Sequence, residues 1–372
     1  MRLAAIIFFI VLLIATGLHC EPVISPESSR FPALVSSIRI REPLHFCSEP
    51  VPLKNPEVRE RLEKELLLSL WDRAQVILWI KRANRYLPHI EDVLKQNSMP
   101  QDLKFVSVAE SALRPHARSR KRATGFWQFI KPTGLKYGLT INSKIDERRN
   151  IFKSTQAAAK YFKALYSDLG SWTLAAAAYN MGEAGLKAEM LTQKTEDYYH
   201  LYLPLETQRF IFRILSVKLI LSNPEKYGFF LEKEDLYPPM EFARIKLKCP
   251  QETPIQLIGQ AAKTSFKVIK DLNPEIRGYY VAKGIHNILI PKGAAKGFQV
   301  RFREHLKQVS LANESLIYVV RKGDNLTRIA DRFNVPLPAL VNWNGISLRK
   351  PIHPGDRLVI YPNTADKKKT KK

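Results

Sequence analysis

Glu110 is a carboxylate set into an apolar stripe. Leu103, Val106, Glu110 and Leu113 follow one another at steps of three, four and three residues, which places them on one face of a helix. A carboxylate turned toward a core, with no cation beside it, resists ionising, and its pKa climbs toward the range of a general acid. The stripe alone equally fits a plainer arrangement, a Glu at the edge of the apolar face that reaches solvent or pairs with an Arg. The residues downstream decide between the two. Glu110-Ser111-Ala112-Leu113-Arg114-Pro115 opens the stretch, and Ser119 precedes a basic Arg120-Lys121-Arg122 run. Then come Gly125-Phe126-Trp127-Gln128-Phe129, Ala178-Tyr179-Asn180-Met181-Gly182 and Glu206-Thr207. Amides, hydroxyls and carboxylates are the groups an acid–base site uses. No Cys-x-x-Cys or His-x-x-x-His spacing occurs, so neither a metal nor an organic cofactor is implied.

The elements that must position these residues are helices. Leu62, Leu66, Leu70 and Ala74 recur at helical spacing, and further helices are expected over 154–169, 172–180 and 205–222. Pro88 and Pro100 punctuate the chain, with Pro100-Gln101-Asp102 as the first turn of the Glu110 helix. Between 56 and 228 almost no alternating pattern appears, which makes this part mostly α-helical. Beyond Tyr227-Gly228 the order strand, helix, helix, strand runs once from about 242 to 290 and again from 318 to 361. That is a divergent internal repeat of two small βααβ units.

The expected organisation is therefore multidomain. A signal peptide or lipoprotein signal covers 1–20 and a tether 21–55. A mainly α domain with an N-terminal helical extension follows over 56–230, then a first α+β module over 240–293. A polar linker spans 294–315, a second module 316–362 and a basic tail 363–372. The apolar run from Leu3 to Ile14 behind Arg2 is short for a membrane span and fits the core of an export signal. Cys20 as a lipidated first residue, ordinary cleavage nearby and an uncleaved anchor all remain open. With Cys20 removed or lipidated, Cys47 and Cys249 either pair in an oxidising compartment or stay independent thiols. The net charge of +24 attracts polyanions. For an exported chain in the periplasm or cell envelope these are envelope polymers and an anionic membrane surface, not nucleic acid.

The ordered set from Glu110 to Glu206 resembles the soluble lytic transglycosylase catalytic domain over roughly residues 85–228. That family has a lysozyme-like helical fold and cleaves peptidoglycan. The resemblance implies Glu110 as the catalytic acid and base, and Ser119 as a hydrogen-bonding neighbour of Glu110 and the substrate. It also implies Gln128 in the cleft, Tyr179 and Asn180 lining the site, and Glu206 in a supporting role. Read singly, Ser119 caps a turn and Tyr179 is a core tyrosine; read in family order, the catalytic assignment prevails for Glu110, Gln128, Tyr179 and Asn180. Three positions depart from the family pattern: Arg122 and Ala184 stand where Gly is usual, and Phe210 where Tyr is common. The C-terminal unit, with Gly323-Asp324-Asn325-Leu326, Asn342-Trp343-Asn344 and Pro354-Gly355-Asp356, resembles a LysM module, a family that binds N-acetylglucosamine glycans. Gly323, Asp324, Asn325 and Leu326 would form one lip of its groove, with Asp324 mainly a helix cap. The unit at 240–293 looks like a degenerate relative and is expected to act as a spacer.

A single marked carboxylate implies a lyase. Ordinary glycosidases use two carboxylates, whereas one suffices when the substrate's own hydroxyl attacks. The rivals are a hydrolytic muramidase, a catalytically dead peptidoglycan-binding scaffold suggested by Arg122 and Ala184, and a polyanion binder suggested by charge alone.

Overall fold

The computed structural model describes residues 32–312, 316–348 and 351–361. The expected export segment 1–20 with Cys20, the first part of the tether and the basic tail 363–372 lie outside these residues. Among the described residues no helix is long and apolar enough to cross a membrane.

The chain is a mainly helical domain followed by two strand-containing modules. Helix α1, Pro56–Trp71, starts at Asn55, whose side chain accepts from the Glu57 N–H. Helix α2, Arg73–Gln96, runs straight through Pro88, where the sequence predicts a break. Burial of Leu87, Ile90, Val93 and Leu94 around it offsets the hydrogen bond that proline removes. A 3-10 turn, Gln101–Leu103, leads into α3, Lys104–Ser111, which carries Glu110. Helices α4, Lys131–Lys136, α5, Ile151–Leu169, and α6, Trp172–Met181, follow. Helices α7, Glu183–Gln193, and α8, Leu205–Ser222, complete the set. Helix α8 is the hub: α1, α3 and α6 all pack on it, and Ile211, Ile214, Leu215, Val217 and Ile220 are fully covered.

The expected tether is part of this domain from about Ile40 onward. Its described part opens with one helical turn, Leu34–Ser37. Two short strands, β1 at His45–Phe46 and β2 at Glu49–Pro50, pair as a hairpin. Phe46, Val51 and Leu53 enter the main core. Apolar side chains there outweigh the Pro-rich composition that suggests a linker.

The two modules repeat one plan. In the first, β3, Phe242–Cys249, pairs antiparallel with β4, Gly284–Pro291, around α9, Ile255–Ala261, and α10, Phe266–Leu272. A helix then occupies the stretch where a polar linker is expected: α11, Phe298–Ala312, buries Phe298 and Phe302 in the first module's core. In the second module β5, Leu316–Val319, pairs with β6, Arg357–Ile360, around α12, Leu326–Arg332, and α13, Leu337–Asn344. One polar lock recurs in both. Asn273 donates to the Ile269 and Leu289 carbonyls and accepts from the Leu289 N–H. Asn344 does the same with Leu340 and Val359. An asparagine at the end of the second helix thus pins the closing strand in each unit. Cys47 and Cys249 are both free thiols, buried in separate cores.

The helical domain and the first module meet edge to edge. Ile145 bridges Ile276, the Asp146 N–H donates to the Glu275 carbonyl at 2.8 Å, and the Arg277 N–H donates to the Lys144 carbonyl at 2.7 Å.

Candidate active site

Glu110 sits in the last turn of α3. The helix ends one residue later, because Ala112 and Leu113 both take left-handed backbone angles. The expected helical stripe is therefore shorter than its periodicity, although Leu113 still reaches the core. Ser111 fixes this end: its hydroxyl donates to the Ser107 and Phe126 carbonyls, tying the helix to the loop that carries Gln128. The Glu110 side chain is half-buried, and its carboxyl makes no hydrogen bond or ion pair among the described residues. Burial pushes its pKa up to about 8, with the Arg213 charge opposing the shift and the Glu206 charge adding to it. The group is therefore mostly protonated at neutral pH and close enough to neutrality to change state in a reaction.

Tyr179 and Asn180 project from α6. The Tyr179 hydroxyl donates to the Trp127 carbonyl at 2.6 Å, and its ring stacks on Phe162 with centroids 4.6 Å apart. Its pKa stands well above the ordinary value, through burial first and then the Glu110 charge. Asn180 accepts from the Thr207 hydroxyl at 2.9 Å, so the Glu206-Thr207 pair fixes Asn180 through its second member. Glu206 itself is exposed in the first turn of α8. Gln128 adopts a positive φ of 47° and uses its amide nitrogen to hold the loop, donating to the Gly125 carbonyl at 2.8 Å and the Ala117 carbonyl at 3.2 Å.

Ser119 falls elsewhere. It is exposed, and its hydroxyl accepts from the Ala123 N–H at 3.1 Å, closing the turn through the basic run. No hydrogen bond joins it to Glu110 among the described residues, so its position matches the turn-capping alternative. Within that turn Arg122 has a φ of 62°, the conformation that makes Gly the usual residue at this family position.

Two positioning devices escape the sequence patterns. The first is a buried ion pair. Arg148 grips Asp146 with two bonds of 2.8 Å and turns its third nitrogen to the Phe129 carbonyl at 3.0 Å and the Arg122 carbonyl at 3.1 Å. Burial opposes ionisation of Asp146, but the Arg148 bonds and charge outweigh it and hold its pKa below the ordinary value. The backbone oxygen of Arg148 also lies against Gly125: a Cβ there would come within 1.8 Å of it, at a φ of +84°. Asp146 and Glu147 look in the sequence like a polar turn, and nothing local marks the pair as buried.

The second device is Glu49, from the supposed tether. Its carboxylate accepts from the N–H groups of Trp172 at 2.5 Å and Thr173 at 2.9 Å. It also accepts from the hydroxyls of Ser171 at 2.9 Å and Thr173 at 2.6 Å. A negative charge with four donors at the start of α6 stabilises the helix that carries Tyr179 and Asn180. Glu49→Ala is expected to cost about 2 kcal/mol, read as a fall in the urea midpoint, with Glu49→Gln recovering part of it.

In the second module Gly323 takes a φ of 88°. Asp324 does not cap α12. Asn325 does, accepting from the Arg328 N–H at 2.8 Å. Asp324 instead braces the turn, accepting from the Tyr318 hydroxyl at 2.6 Å and the Arg321 N–H at 2.8 Å. Leu326 points into the module core. Gly323 and Asn325 remain exposed at the expected groove.

Comparison with known proteins agrees with this arrangement. Residues 88–202 match the family model described as the transglycosylase SLT domain, and residues 318–360 match the LysM domain. Over 325 residues the chain is 31% identical to membrane-bound lytic murein transglycosylase D of Escherichia coli K12, covering 82% of this chain and 69% of that protein. The same protein of Escherichia coli O6:H1 gives the same figures.

Proposed function

The chain belongs to the lytic murein transglycosylase family of those two relatives, and from that premise we propose that it cuts murein glycan strands without water, using Glu110 as both acid and base. Murein, the peptidoglycan of the cell envelope, alternates N-acetylmuramic acid and N-acetylglucosamine. Protonated Glu110 gives its proton to the oxygen leaving C1 of the muramyl sugar. The C1–O bond breaks, and the N-acetyl group supports the oxocarbenium-like centre. The muramyl C6 hydroxyl then attacks C1, Glu110 takes back a proton, and a 1,6-anhydro ring closes. One group acting in both directions needs a pKa near the working pH. The observation that carries the reading is therefore the unpartnered Glu110 carboxyl with its pKa raised to about 8, its charge felt by Tyr179. Gln128, Tyr179 and Asn180 would bind and orient the strand. The second module, with Gly323 and Asn325 at its exposed turn, would hold the enzyme on its insoluble polymer and raise the local substrate concentration. Such a reaction belongs to the cell envelope.

Hydrolysis is the second reading, because Glu206 is a carboxylate whose charge Glu110 feels. It would serve as the base for water. The test is mass spectrometry of digested murein. Non-hydrolytic cleavage leaves every new muramyl end one water lighter than a reducing end, and Glu206→Gln keeps most of the activity. Reducing ends, together with collapse of activity in Glu206→Gln, would establish the muramidase instead.

A further inference from the structure

The junction of the helical domain and the first module encloses a cavity of about 370 Å³ that none of Glu110, Gln128, Tyr179 or Asn180 lines. Its walls include Asn150, Phe152 and Lys153 from the start of α5, Arg244 from β3, and Glu275 and Tyr280 from the segment after α10. Glu275 is only 8% exposed. Its Oε1 accepts from Asn150 Nδ2 at 2.8 Å, while Oε2 is buried and has no hydrogen-bond partner. Burial raises the carboxyl's pKa, against the opposing effects of its own backbone N–H and of Asn150. Oε1 is already engaged by a donor, so a proton taken up by this carboxyl would sit on Oε2, the oxygen without a partner. A buried polar atom in that state is a cost unless something fills it.

Two cations face the same space. Lys153 and Arg244 are exposed and make no ion pair among the described residues, and the Arg244 guanidinium lies 5.0 Å from the centroid of the Phe152 ring. One unpartnered carboxyl oxygen able to take up a proton and two such cations around a small cavity address an anionic group rich in acceptor oxygens. The volume suits a short peptide segment.

We infer that this cavity binds a carboxylate of a murein stem peptide, the carboxylate accepting from Glu275 Oε2 and lying against Lys153 and Arg244. That the peptide is murein's own rests on the function proposed above. The first module then adds a contact that separates peptide-bearing strands from stripped ones, a role distinct from that of a spacer.

The experiment is calorimetric titration of the full chain with two soluble probes that lack the scissile bond. One is the N-acetylglucosaminyl-N-acetylmuramyl tetrapeptide, and the other is the same disaccharide after amidase removal of its peptide. The peptide-bearing probe is expected to bind about tenfold tighter or better, the order of one charge-assisted hydrogen bond. Lys153→Glu and Arg244→Glu, both surface changes, should abolish the difference while melting like the parent. Glu275→Met should weaken it, and Glu275→Gln, which keeps a donor, should preserve it. Equal affinity of the parent for both probes, or a difference untouched by both charge reversals, overturns the inference. Cleavage of intact, peptide-bearing murein by the parent is read separately. If it fails, the Glu110 function falls while the peptide titration still stands on its own.

Discussion

Glu110→Gln is expected to lose at least about 10³-fold in murein cleavage and to melt at a higher temperature than the parent. Both effects have one cause. The amide can neither give nor accept the proton that the reaction moves, and it also removes a carboxyl that folding holds away from water. The sign follows from the pKa shift. An unfolded Glu titrates near its ordinary value of 4.5, whereas the folded group titrates at about 8. Between those values the unfolded chain has released a proton that the folded one retains, so the parent loses stability as pH rises through that window. The stability gained by Glu110→Gln should be near zero at about pH 4, grow across the window and level off above about pH 8. Allowing for the partial exposure of the side chain, the plateau should be about 2 kcal/mol. The parent's turnover should fall on the alkaline side as the acid form of Glu110 is lost. Activity retained in the Gln protein would remove Glu110 from the chemistry. A melting temperature gain that does not change with pH would show that the group is not desolvated.

The legible parts of this chain are those where a local pattern and the tertiary structure agree. Helix α8 is readable to its ends, because its apolar residues recur at helical spacing and pack on three other helices. The repeat is readable because each small unit keeps one order of strand and helix, and the paired asparagines Asn273 and Asn344 give it a shared polar lock. Glu110 is readable because a charge inside an apolar stripe breaks a rule that folding otherwise keeps. What escapes is long-range. Glu49 is separated by 122 positions from Ser171, whose hydroxyl it holds, and no spacing rule joins a Pro-rich segment to a distant helix start. Helix α11 does carry a signal: Phe298, Phe302 and Leu306 follow at steps of four and face the first module's core. The polar composition around that stripe hides it. Ser119 shows the opposite case, a local demand that a motif conceals. Its hydroxyl, which the family order would send toward the substrate, also accepts from the Ala123 N–H of its own turn.

Arg148→Met should be the most damaging substitution outside the cleft, costing about 3–5 kcal/mol and most of the activity. Asp146 is 2% exposed and Arg148 8%, so removing the guanidinium leaves a carboxylate buried without its partner. It also removes one of the two donors on each of the Phe129 and Arg122 carbonyls, leaving only the Thr124 N–H and hydroxyl, and so loosens the segment on which Gln128 sits. Lys cannot replace the fork that reaches both oxygens of Asp146 and two carbonyls at once, so Arg148→Lys should recover little. A double variant, Asp146→Leu with Arg148→Met, separates the two consequences. Without a stranded charge it should regain much of the lost stability by urea denaturation. It should not regain murein cleavage, because the loop carbonyls still lack Arg148. Full activity in the double variant would mean that the ion pair serves the fold alone and that Gln128 is held by its own bonds to Gly125 and Ala117.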